Sequence, residues 1–124
     1  MVAQQIAPRA INRTSISQQV TFSVQVGNPT KKTGQFYVDP VAMTADGVPS
    51  MEIEQGIRLS ARKVTLRSGK LRRVNAVADM SGSDRTFFVC TSPAEPTIIH
   101  PGSSTSHKLG IRARACSRVN LKQK

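Results

Sequence analysis

Along one early segment of the chain, hydrophobic and polar residues alternate. Val20, Phe22, Val24 and Val26 interleave with Gln19, Thr21, Ser23 and Gln25. A repeat of two puts each set on its own face of a β-strand. Gly27-Asn28-Pro29-Thr30 supplies the turn chemistry that stops it. The same logic predicts short strands over 35–38, ended by Asp39-Pro40, and over 62–66, ended by Ser68-Gly69. Two more follow over 71–77, before Ser81-Gly82-Ser83, and over 85–91, before Pro93 and Pro96. Residues 108–119 alternate again, with Leu109, Ile111, Ala113 and Ala115 on one side and Arg112, Arg114, Cys116 and Arg118 on the other. Residues 5–12 read as one further strand, with Pro8 suited to an edge position. Residues 50–60 are assigned a turn of helix at most. About seven short antiparallel strands, spaced by Gly, Pro and Ser turns, predict an all-β sandwich. At 124 residues the chain fits one domain, 1–124.

Charge changes the picture of the surface. Lys and Arg number 18 against 7 Asp and Glu, a formal charge of +11. No acidic residue precedes Asp39 or follows Glu95, and 58–73 is wholly basic in its charged residues. Such a balance favours nucleic acid, anionic lipid or an acidic protein surface, against the plainer reading of a solvated basic face. Two His, two Cys and seven carboxylates offer few groups for catalysis. The chain is therefore expected not to be an enzyme, and no metal or cofactor is called for. No apolar run approaches 18 residues, which excludes a membrane-spanning helix. The opening Met1-Val2-Ala3-Gln4-Gln5 lacks the basic start and apolar run of a signal peptide.

The two cysteines are the most informative pair. If the last two strands form an antiparallel hairpin, setting Cys90 opposite Cys116 also sets residue 88 opposite 118 and 92 opposite 114. A cross-strand disulfide is then feasible, and it would imply an oxidising compartment. Two unrelated buried thiols are the alternative. A zinc site from Cys90, His100, His107 and Cys116 fits no usual ligand spacing. Glu52 and Glu54 lie two apart, on one strand face, and read as a solvated acidic patch. For nucleic acid, Phe22 and Phe87 look like core, which leaves Phe36, Tyr37 and Phe88 as stacking candidates.

A family resemblance runs through the same segments in order. Gly56-Ile57-Arg58-Leu59-Ser60-Ala61-Arg62-Lys63-Val64-Thr65-Leu66-Arg67-Ser68-Gly69-Lys70 resembles a strand–turn–strand stretch of the periplasmic pilus-assembly chaperones of the chaperone–usher pathway. Arg85-Thr86-Phe87-Phe88-Val89-Cys90, Arg9-Ala10-Ile11 and residues 112–119 resemble their later, first and last strands. The resemblance implies an immunoglobulin-like β-sandwich, the first of two domains, with the second lacking here. It implies a periplasmic or secreted protein of fimbria biogenesis that chaperones a pilin-like subunit by donating an edge strand. The donor side chains would be Leu109, Ile111, Ala113 and Ala115. The subunit's terminal carboxylate would be anchored by Arg9 and Arg114, with Arg118 further along; an Arg fork matches a carboxylate. Ala113 and Ala115 are smaller than the usual aliphatic anchors, and Arg114 stands where Lys is expected. Some members bridge the last two strands, as Cys90 and Cys116 would. A self-assembling pilin-like or coat subunit, and a basic nucleic-acid-binding domain, are the other two readings.

Overall fold

The computed structural model describes residues 6–94 and 114–124. The elements are β1 (Ile6–Ala7), β2 (Ala10–Ser15), β3 (Gln19–Gly27), β4 (Gly34–Met43), β5 (Pro49–Ile53), β6 (Ile57–Leu59), β7 (Lys63–Leu66), β8 (Leu71–Asp79), β9 (Arg85–Pro93) and β10 (Ala115–Gln123). One sheet has the order β1-β3-β8-β6. The other runs β2-β10-β9-β4-β5, with β7 also paired to β4. Among the described pairs, β2 with β10 is parallel and the rest are antiparallel.

The period of two does what it should. Val20, Phe22, Val24 and Val26 of β3 face the other sheet together with Val74, Ala76 and Ala78 of β8. From the facing sheet come Phe36 and Val38 of β4, Phe87 and Val89 of β9, and Val119 and Leu121 of β10. Phe22 and Phe87 meet in the centre with their rings 6.0 Å apart and tilted by 51°, a geometry that the quadrupoles of two rings favour. No helix among the described residues is long and apolar enough to cross a membrane.

Ten strands stand among the described residues where about seven are expected, and two local causes explain the excess. The first strand is split. Ile6 and Ala7 pair with Val26 and Gln25 in one sheet, and from Ala10 the chain joins the other beside β10. Pro8 therefore marks the crossing and not an edge within one strand; it has no N–H to give to either ladder. Residues 50–60 hold β5 and β6, not a helical turn. The period is hard to see there because β5 is mostly exposed and β6 only half buried.

The strand over 35–38 does not stop at Asp39-Pro40. Instead β4 runs on to Met43. The carbonyl of Pro40 accepts from Glu54 N–H at 3.0 Å. A residue's N–H and C=O point to the same side of a strand, so the missing N–H of Pro40 faces away from β9. It faces the interval between the β7 pairing at 34–37 and the β5 pairing at Val41 and Met43. The ladder to β9 loses no bond, and the proline is tolerated.

Arg85 ties the irregular segment down. Its guanidinium donates to Asp79 O (2.6 Å), to Glu54 Oε2 (2.8 Å) and to Gln55 O. Glu54 is therefore half of an ion pair and not a partner of Glu52 in a solvated patch. Gly56 lies under this clamp with φ +79°, and a Cβ there would sit 2.9 Å from Arg85 Nη1. Gly69 has a similar φ of +72° but open space around it. In urea unfolding, Gly69→Ala should cost about 1 kcal/mol for backbone conformation alone. Gly56→Ala should cost more, and the excess should vanish in an Arg85→Ala background, since coupling is confined to groups in contact.

Candidate functional site

β10 is flanked on both sides. On one side it pairs with β9, setting Cys116 opposite Cys90 and Arg118 opposite Phe88. This is the register expected from the hairpin. The Cys90–Cys116 disulfide closes it, with the two Cα atoms 4.0 Å apart. The bridge lies on the outer face of the six-stranded sheet, where Cys90 and Cys116 pack with Val41 and Phe88. Both thiols being consumed, the zinc reading loses two of its four ligands; His100 and His107 lie outside the described residues.

On its other side β10 runs parallel to β2. Arg118 lies opposite Ala10, and its N–H donates to Arg9 O at 2.8 Å. Thus Arg9 and Arg118, more than 100 positions apart in sequence, become backbone neighbours. Both are exposed. The two ion pairs among the described residues are Arg62 with Asp39 and Arg85 with Glu54, so neither of these arginines is neutralised by a described carboxylate. The contact between them is made by the main chain, and Arg118 shares its outward face with Ala10. The pairing is fixed further along by Asn120 Nδ2, which donates to Asn12 Oδ1 at 3.0 Å, and by Gln123 Nε2, which donates to the carbonyls of Ser15 and Ser17.

The third expected anchor behaves differently. Arg114 donates from Nη1 to Ser50 O (2.8 Å) and from Nη2 to Pro49 O (3.3 Å). Its guanidinium braces the start of β10 against β5 and is not beside Arg9. Of the expected donor side chains, Leu109, Ile111 and Ala113 lie outside the described residues. Ala115 opens β10 opposite Thr91 and packs, half buried, against this domain's own core.

One residue at this edge escapes the sequence reading. Arg13 is exposed in β2, opposite Leu121. A strand assigned only to residue 12 leaves it out, although Thr14 and Ile16 continue the β-prone run. The stacking candidates do not survive. Phe36 is buried in the main core and Phe88 under the outer face, while Tyr37 is half buried with Lys63 Nζ 5.6 Å from its ring centre.

No family model and no curated protein matches the sequence. Solved structures do match the arrangement. The class 5 fimbriae chaperone CfaA superposes with a TM-score of 0.66 at 12% identity, over 96% of this chain and 56% of its own. A structure of the Salmonella enterica SafA pilin in complex with the SafB chaperone gives 0.66 at 15% identity, over 100% and 56%. The PapD-like domain 7 of human CEP192 gives 0.60 at 12%, over 96% and 83%. The chain has the PapD-like fold. It spans about half the length of the fimbrial chaperone structures that it matches. Identities this low carry the PapD-like architecture and not a residue-by-residue role.

The disulfide closes a loop with a sequence separation of 26. On the chain-entropy account such a crosslink is worth roughly 3–4 kcal/mol. Intact mass after thiol blocking should show no modification until reductant is added. Cys90→Ser with Cys116→Ser should lower stability in urea by about that amount, without loss of the sandwich.

Proposed function

We propose that this chain is a non-catalytic binding module of pilus assembly, working outside the cytoplasm. It completes a pilin-like subunit by lending an edge strand and holds that subunit's terminal carboxylate. The observation that carries the reading is the exposed Arg9–Arg118 pair, placed where β2 and β10 meet on a PapD-like sandwich. Strand addition supplies main-chain hydrogen bonds for affinity, and alternating side chains supply specificity. Leu109, Ile111 and Ala113 precede β10 in sequence and are the side chains proposed to enter the subunit; Ala115, expected with them, packs against this domain's own core instead. Arg9 and Arg118 are the proposed carboxylate fork, with Arg114 holding β10 against β5. The disulfide is consistent with a periplasmic or secreted location, where such bridges persist. The protein partners named for the similar chaperone structures, a pilin and a tip adhesin, are of the class proposed here.

The test is binding to an incomplete-sandwich pilin subunit with a free carboxyl terminus. Arg9→Ala and Arg118→Ala should each weaken binding by about 1.5–3 kcal/mol, the range for hydrogen bonds to a charged group. Arg114→Ala should do less. Against a subunit with an amidated terminus, the Arg9 and Arg118 effects should disappear. Leu109→Asp with Ile111→Asp should abolish the complex; unchanged binding of that variant would sink the reading.

A further inference from the structure

The loops 28–33 and 67–70 meet at one end of the sandwich, where β3 stops and β8 begins. They are stitched together by main-chain and side-chain bonds. Asn28 N–H donates to Lys70 O at 3.1 Å, Gly69 N–H to Asn28 O at 2.9 Å, and Ser68 Oγ to Thr30 O at 2.6 Å. The Asn28 side chain is the hub. It is buried, and its amide donates to Lys32 O and Leu66 O, each at 2.8 Å. Its Oδ1 accepts from the N–H of Thr30 (2.9 Å) and from the hydroxyl of Thr30 (2.6 Å). A buried amide bonded on both its nitrogen and its oxygen holds the two loops as one rigid tip.

This tip presents Lys31, Lys32, Arg67 and Lys70, all exposed. None is in an ion pair with a described residue. The described carboxylates lie elsewhere. Asp39 is within β4, while Asp46, Asp79 and Asp84 sit in or beside the connections at the opposite end. Four exposed cations with no described carboxylate among them create a local field that draws anions to the tip. Beside the cations stands Leu71, 59% exposed.

A cluster of cations around one exposed aliphatic side chain suits the boundary of a bilayer. Lys and Arg meet headgroup phosphates there, and the apolar group enters the acyl edge. Nucleic acid fits less well, because the four phenylalanines are buried and offer no base a stacking surface. We propose that the tip formed by loops 28–33 and 67–70 docks on an anionic lipid surface, with Lys31, Lys32, Arg67 and Lys70 on the phosphates and Leu71 at the acyl boundary. This goes beyond the subunit-binding edge and does not depend on it.

Vesicle co-sedimentation of the full chain tests the idea. It should bind vesicles of phosphatidylcholine with about one third phosphatidylglycerol and not phosphatidylcholine alone, with a steep loss between about 50 and 200 mM salt. Lys31→Gln and Lys70→Gln should each lower the partition roughly fivefold, while Arg58→Gln and Lys122→Gln, away from the tip, change it less than about twofold. Lys31→Arg should retain binding, and Leu71→Ser should weaken it in the higher salt. Equal losses from the tip and the distant variants would assign the effect to net charge and overturn the proposal. So would no binding to the anionic vesicles, a Leu71→Ser protein indistinguishable from the parent, or tighter retention on double-stranded DNA than on vesicles.

Discussion

The register between β9 and β10 is the constraint on which the rest of the structure depends. Pairing Cys116 with Cys90 directs Val119 and Leu121 into the core and Arg118 to the outer face. Because side chains alternate, a slip of one residue would turn both apolar groups to water and drive an arginine into the core. Burying an unpaired charge is among the most costly things a core can do. The covalent bridge removes that slip from the available states. It also fixes β2, whose parallel pairing uses the free edge that β10 offers.

Two other devices hold the ends of the sandwich, and both work through polar groups that make several bonds at once. At one end Arg85 gathers Asp79, Glu54 and Gln55, so that the half-exposed β5–β6 region has a fixed path despite contributing little to the core. At the other end Asn28 gathers Leu66, Lys32 and Thr30. A multiply bonded side chain stabilises a loop that has no apolar face to bury, since each bond restrains the same few backbone dihedrals. The clamp includes one carboxylate, that of Glu54, whereas the tip is left basic.

Subunit capture and lipid contact would then use separate surfaces of one small domain. Arg9 and Arg118, the proposed carboxylate anchors, lie where β2 meets β10, and the basic tip lies on the loops that follow β3 and β7. Arg114 belongs to neither. Its bonds to Pro49 and Ser50 make it a strut across the outer face of the six-stranded sheet.

The alternating residues of β3 and the feasibility of pairing the two cysteines were legible in the sequence. Each is a local pattern of period two or follows from a single hairpin. The sandwich class follows from them, because strands that are apolar on one face must stack to bury it. What the sequence left open depends on partners far away along the chain. Pro8 reads equally well as an edge or a crossing until the neighbours of β1 and β2 are known. Pro40 reads as a stop until its missing N–H is seen to face a break in the ladder. The strands β5 and β6 carry little period of their own, and an arginine some 30 positions away holds them in place. Which arginines become neighbours is the clearest case. Nothing local distinguishes Arg114 from Arg118, and only the parallel pairing of residues 108 positions apart, as Asn12 with Asn120, sets Arg118 rather than Arg114 beside Arg9. Faces are written in the sequence because they are set by a dihedral repeat. Neighbours across a sheet are decided by chain closure, which a single strand's pattern does not encode.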